Sequence, residues 1–154
     1  MAVNLEKDII DLLNDRNTIK AIASTDRNGN PNLVFREFFT VNEEGRIVYF
    51  ELIEGSRTNR NLVASIWFEK EVAINVKGKG NTSYQIKGIP VRAIIAGKEF
   101  QEKYIEFQKI SKDYDLSTIW IIRPEEVIEE SFHKRRDEEE KSHPLLRHLD
   151  RLTI

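Results

Sequence analysis

Three side chains able to hold an anion follow one another at Ser56, Arg57 and Thr58, directly after a glycine. The residues that come next have helical periodicity, and serine is a good N-cap, so a helix is predicted to begin here. The free N–H groups and the dipole of a helix N-terminus favour negative charge, and the planar guanidinium of Arg57 suits a phosphate. The cluster is therefore a candidate phosphate site. Alternatively, Ser56 only caps the helix, while Arg57 and Arg60 face solvent.

A second candidate group lies on the strand predicted over residues 33–41. Alternation along a strand places Phe35 and Glu37 on one face and Arg36 on the other. A carboxylate on a face that also carries aromatic side chains is unusual. Glu37 is an edge-strand charge, a partner for an arginine such as Arg92, or a group that contacts a ligand.

Two tryptophans add further candidates. Trp120 lies in a predicted strand, where its ring either packs in the core or contacts a bound ligand. Trp67 and Phe68 follow the helix that begins near Ser56, and we expect both of them to pack against the body of the protein.

The elements that must position these residues are mostly strands joined by short turns. The predicted strands cover residues 18–24, 33–41, 46–52, 72–76, 84–95 and 117–122, and the predicted helices cover residues 5–13, 56–65 and 97–112. Gly88 and Pro90 indicate a bulge in the long fifth strand, or an edge position near them. Six strands without regular strand–helix alternation predict a mainly β fold, an antiparallel barrel with short flanking helices.

The last part of the chain differs in kind, so we divide the sequence into a barrel domain at 1–132 and an appendage at 133–154. Residues 133–143 are charged almost throughout, which predicts a solvated helical turn or a connector. A stripe of leucines then predicts a short terminal helix, buried on its own subunit or on a partner. Its members are Leu145, Leu146, Leu149 and Leu152.

Composition excludes several classes of protein. The chain has 154 residues, which suits one core, and its lack of cysteine excludes disulfides, thiolate metal sites and iron–sulfur clusters. His143 and His148 are five residues apart and His133 is isolated, so no metal site is predicted. A formal net charge of −2 gives no electrostatic footprint for nucleic acid. No signal peptide or membrane span is recognisable, and we expect a cytoplasmic protein.

The order of these motifs resembles the FMN-binding split-barrel superfamily, which includes pyridoxamine 5′-phosphate oxidase and small bacterial FMN-binding proteins. The resemblance runs from about residue 14 to 130. It is carried by the strand ending in Tyr49-Phe50, by Ser56-Arg57-Thr58 and by Asn61-Leu62, with Gly88 matching a later strand. It implies a six-stranded antiparallel split barrel that holds FMN at the interface of a homodimer.

The resemblance also implies which residues bind the cofactor. These are Phe35, Arg36, Glu37, Ser56, Arg57, Thr58, Asn61 and Trp120. Thr58 stands where the oxidase pattern has lysine, so the phosphate would depend on Arg57 with help from Arg36. Glu37 would hold a polar edge of the flavin or pair with Arg57 across the dimer.

The implied function is that of an FMN-dependent oxidoreductase exchanging electrons with a reduced nicotinamide or another small substrate. No catalytic side chain is assigned, because a flavin carries the electrons itself. One alternative is a non-enzymatic FMN-binding electron carrier, and another is a split barrel that binds haem or a deazaflavin. Genuine pyridoxamine 5′-phosphate oxidase activity is not expected, because the C-terminal substrate motifs of that enzyme are missing.

Overall fold

A computed structural model describes residues 2–143 and 148–152 of the chain. It contains seven strands, four helices and a terminal 3-10 turn. In chain order these are α1 (Lys7–Asn14), β1 (Ile19–Thr25), β2 (Pro31–Phe35), β3 (Phe39–Val41), β4 (Ile47–Glu51), α2 (Arg57–Phe68), β5 (Val72–Lys77), β6 (Ser83–Ile94), α3 (Gly97–Ile110), β7 (Thr118–Glu129), α4 (Phe132–Ser142) and the turn Leu149–Leu152.

All strands belong to one antiparallel sheet with the order β2-β1-β5-β6-β7-β4-β3. The two edge strands, β2 and β3, are consecutive in the chain and are joined by only three residues, 36–38. A link this short requires the sheet to curl until its two edges meet. The result is a curled half-barrel, which confirms the mainly β split-barrel fold expected from the sequence.

The number of strands differs from the expected six because the segment predicted as one strand is broken in two. Its first half pairs with β1 and its second half with β4. The link itself is held on both sides, since Arg36 N donates to Lys20 O and Phe50 N donates to Phe38 O, each at 3.0 Å. The break therefore lies where the chain passes from one edge of the sheet to the other.

The interior of the barrel is filled from alternate positions of the strands. Its buried apolar residues include Ile22, Ile74, Ile122 and, from α2, Leu62, and α1 contributes Leu13 at one end. A second apolar cluster lies between the outer faces of β4 and β7 and helix α3. It contains Val48, Ile94, Phe107, Leu116, Ile119 and Ile121. β4 and β7 are therefore covered on both faces and form well-packed supports for a site.

The charged segment after β7 forms α4, every side chain of which is exposed. Of the leucine stripe predicted to be buried, Leu145 and Leu146 lie outside the described residues, while Leu149 and Leu152 are exposed. Within the part of the chain that the structure describes, no helix is long and apolar enough to cross a membrane.

Candidate functional site

The N-terminus of α2 forms as the sequence predicts. The Ser56 side chain accepts a hydrogen bond from Asn59 N at 3.0 Å, and α2 begins at the next residue, Arg57. Ser56 N in turn donates to Ile53 O at 3.1 Å. The cap fixes the residue at which the helix begins, and therefore the position from which the Arg57 side chain projects.

A large open groove, of about 1160 Å³, lies between the outer side of α2 and the turn that joins β1 to β2. Three arginines line it: Arg57 and Arg60 from the helix and Arg27 from the turn. Side-chain amides lie among them, namely Asn30, Asn32, Asn59 and Asn61. The groove therefore combines three permanent positive charges with one carboxylate, Asp26, and with amides whose Nδ2 atoms already donate within the protein. The arginines are the groups in it that suit a phosphate or another multivalent anion.

These arginines have no protein counter-ion within the described ranges, since none of the three forms an ion pair there. Asp26, an acid that also lines the groove, is engaged within its own turn. It accepts hydrogen bonds from Asn30 N and Asn28 N at 2.9 and 2.8 Å and from Asn30 Nδ2 at 2.9 Å. These bonds, led by that from the Asn30 side chain, lower the pKa of Asp26, and the carboxylate stabilises the turn that carries Arg27.

The far end of the groove is aromatic. Trp67 and Phe68 line it and are 77% and 60% exposed, so the expectation that both side chains pack was wrong. Arg60 and Trp67 are seven residues apart and share the outer face of α2, while Leu62 on the opposite face is buried. At 1.5 Å per residue, Trp67 lies about 15 Å along the helix from Arg57.

Of the residues predicted to bind a ligand, Arg57 and Asn61 line this groove. Asn61 also reaches inward, because its Nδ2 donates to Ser24 Oγ at 3.1 Å. Thr58 is buried and its hydroxyl accepts from Asn32 Nδ2 at 3.1 Å, so it joins α2 to β2. Trp120 is also buried and donates from Nε1 to another amide, Asn59 Oδ1, at 2.8 Å.

The three candidate residues from the segment predicted as one strand over 33–41 do not line this groove. Phe35, Arg36 and Glu37 line a smaller cleft of about 320 Å³ at the corner between β2 and β3. Glu37 pairs with Arg16 at 3.3 Å rather than with Arg92. Within one chain the structure thus brings Arg57 and Asn61 together and keeps these three residues apart from them.

Sequence reasoning missed Arg27, Arg60 and Asn32 as groove residues. Arg27 lies in a segment recognised only as a turn, and Arg60 was treated only as a solvent-facing charge. The available signal was the spacing of Arg57, Arg60 and Trp67, which puts a cation and an aromatic ring on one face of α2. In the described part of the chain, no three His, Asp or Glu side chains are grouped closely enough to hold a metal ion.

Comparison with known proteins supports the fold. No protein-family model matches the chain, and no curated sequence is significantly similar to it. Among solved structures, an FMN-binding protein from Syntrophomonas wolfei matches with a TM-score of 0.66 and 13% identity, over 80% of this chain and 84% of that one. A pyridoxamine 5′-phosphate oxidase-like protein from Lactobacillus delbrueckii matches with a TM-score of 0.62 and 17% identity, over 81% and 93%.

The similar structures are not restricted to one cofactor. HutZ, the haem storage protein from Vibrio cholerae, matches with a TM-score of 0.55 and 17% identity, over 82% of this chain and 95% of that one. An F420 reductase is also similar in structure. This chain shares the split-barrel fold with the FMN-binding protein, the pyridoxamine 5′-phosphate oxidase-like protein and the F420 reductase. At these identities the likeness defines the architecture and not the ligand.

Proposed function

We propose that this protein binds FMN in the groove beside α2 and acts as an FMN-dependent oxidoreductase. The observation that carries the proposal is the convergence of Arg27, Arg57 and Arg60, none of them in an ion pair, on a groove whose other end is aromatic. FMN has the matching shape, a phosphate dianion at one end and a planar ring at the other. When bound, it supplies electron-transfer chemistry that the side chains lack.

The residues of the groove fit such a ligand end by end. Arg57 and Arg60 hold the phosphate beside the first turn of α2, where the helix dipole adds to their charge. Trp67 offers a ring face for stacking. A reduced nicotinamide or another small molecule donates the electrons.

The experiment is a titration with FMN of the wild-type protein and of two matched arginine variants. Arg57→Ala removes one charge-assisted hydrogen-bond donor from the groove, which we expect to raise the Kd for FMN by about tenfold or more. Arg135→Ala removes the same charge from α4, on an exposed helix that does not line the groove, and serves as the control. Equal Kd values for the two variants would contradict the assignment of the phosphate to Arg57.

A second candidate ligand set, haem or a deazaflavin, is favoured by one specific observation. Thr58, which replaces the lysine of the oxidase pattern, turns its hydroxyl to Asn32 inside the protein and offers no charge to a phosphate. The likeness to HutZ and to the F420 reductase agrees with such ligands. Parallel titrations with FMN, haem and F420 decide between them, and a Kd for FMN weaker than for both others would overturn the proposal.

We further propose a homodimer in which a second copy covers the outer face of β1 and β2. Ile19, Leu33 and Phe35 are 56%, 71% and 75% exposed on that face, and β2 is a sheet edge. An apolar sheet edge of this kind is rarely left open to water. Light scattering should give a dimer for the wild type and for Ile105→Glu, an exposed position on α3, but a monomer for Phe35→Glu. A monomeric wild type would refute this part of the proposal.

A further inference from the structure

Polar side chains are buried inside the barrel beneath residues 52–56, the loop that leads from β4 into α2. Tyr49 and Glu51 point into the interior from β4, and both are fully buried. The hydroxyl of Tyr49 donates a hydrogen bond to Glu51 Oε2. Burial, and then the Glu51 carboxylate, raise the pKa of Tyr49 well above its usual range, so this phenol remains a donor.

The other oxygen of the same carboxylate reaches the loop. Glu51 Oε1 accepts a hydrogen bond from Ile53 N at 3.1 Å. Ile53 O then accepts from Ser56 N at 3.1 Å, so Glu51 is connected to the N-cap of α2 through one backbone residue. The loop is thus held from beneath by a buried acid.

Trp120 holds the same loop from the neighbouring strand. It is the cross-strand partner of Tyr49 on β7, and its indole Nε1 donates to Asn59 Oδ1 at 2.8 Å. The side-chain Nδ2 of Asn59 donates to Glu54 O at 2.9 Å. Ile53 and Glu54, two successive residues of the loop, are therefore each connected to the barrel interior.

Filling a core with such polar groups is energetically unfavourable unless they are hydrogen-bonded. Burying a carboxylate or an amide costs free energy unless its hydrogen bonds are satisfied, and apolar residues of similar volume often pack as well. The polar groups fix the conformation of the loop, because each hydrogen bond holds one loop atom in place relative to β4 and β7. Those two strands are packed on both faces, so the hydrogen bonds attach the loop to a well-packed part of the sheet.

We propose that Glu51 and Trp120 are positioning residues for the anion end of the groove. They hold the loop in the one conformation that presents Arg57 and the first N–H groups of α2 to a phosphate. Neither side chain touches the ligand. A pre-formed loop loses less conformational entropy on binding, so their effect is on affinity. This inference rests on the proposed function, since it names what pre-organises that site.

The test begins with Trp120→Phe, which keeps a ring in the core and removes one N–H donor. We expect the Kd values for FMN and for inorganic phosphate to rise by the same factor, about fivefold to tenfold, because both ligands share the anion end. Glu51→Leu, which removes both acceptor oxygens, should act in the same direction. The control is Ile74→Val, a destabilising core substitution on β5, which β6 separates from β7, and it should leave both Kd values unchanged.

Hydrogen exchange supplies a readout that a general loss of stability would not give. In Trp120→Phe and Glu51→Leu, the amide protons of Ile53 and Ser56 should exchange faster, while those of β5 and β6 keep their protection. Unchanged Kd values in Trp120→Phe, with a wild type that binds FMN, would overturn the positioning role alone. A wild type that binds neither FMN nor phosphate would overturn both this inference and the proposed function.

Discussion

Gly88 offers a sharp test of how tightly the central strands are packed. It lies in β6 between β5 and β7, opposite Val72 and Pro124, where the register with β7 shifts. A Cβ atom built on Gly88 would lie 2.8 Å from Arg123 O and 2.8 Å from Ile122 Cγ2. The first of these is a backbone atom and cannot rotate away, so two paired strands must move apart by about half an ångström.

We expect Gly88→Ala to lower the free energy of unfolding by about 2–3 kcal/mol, in the range of overpacked cores. For a chain of this size that corresponds to a fall in Tm of about 4–12 °C. Gly78→Ala is the matched control. There the new Cβ meets only the side chain of Leu12, at 2.9 Å from Cδ2, and a leucine at the end of α1 can turn aside.

The control should change stability by no more than about 0.5 kcal/mol. Alanine lowers the conformational entropy of the unfolded chain, and this stabilising effect offsets the small movement of Leu12. Both variants are compared by urea unfolding, with tryptophan fluorescence as the signal and the slope m as a check that the unfolded state is unaltered. Equal midpoints for Gly88→Ala and Gly78→Ala would refute the close approach of the two strands.

Three further predictions concern titrating and capping groups. Because the pKa of Tyr49 is raised above its ordinary value of 10.0, the stability that it contributes is complete below pH 10 and is lost as the pH rises further; Tyr49→Phe should flatten this alkaline loss in unfolding measurements. The pKa of Asp26 lies below its ordinary 3.8, so its contribution is present above about pH 4 and disappears as the pH falls through the lowered value. Asp26→Asn should therefore make acid unfolding less steep, and an unchanged slope between pH 5 and 2 would contradict this. Ser56→Ala should cost about 1 kcal/mol through loss of the α2 cap, whereas Ser56→Asp should restore stability in urea unfolding and weaken phosphate binding by repulsion.

Much of the fold follows from local signals in the sequence. A cap depends on one hydroxyl and the periodicity after it, so the start of α2 at Arg57 was predictable. The bulge indicated by Gly88 and Pro90 is confirmed by register shifts at both places in the pairing of β6 with β7. The break between β2 and β3 was not predictable, because alternation continues through Glu37 and only the curl of the whole sheet decides where the chain changes edge.

The candidate site was less accessible to sequence reasoning for a similar reason. Arg57 and Asn61 were identified because they belong to a local motif on one helix. Arg27 contributes from a turn thirty residues earlier, and no local sequence pattern indicates that this turn faces α2. The exposure of Trp67 depends on which face of the helix finds a partner, which is a property of the assembled sheet.

The most direct test of the central claim is the visible absorption spectrum of the purified protein, recorded before and after addition of FMN and desalting. We predict a flavin spectrum that survives desalting in the wild type and is reduced in Arg57→Ala, and turnover with a reduced nicotinamide would then distinguish an enzyme from an electron carrier. A protein that is colourless as purified and loses all added FMN on desalting would contradict the account.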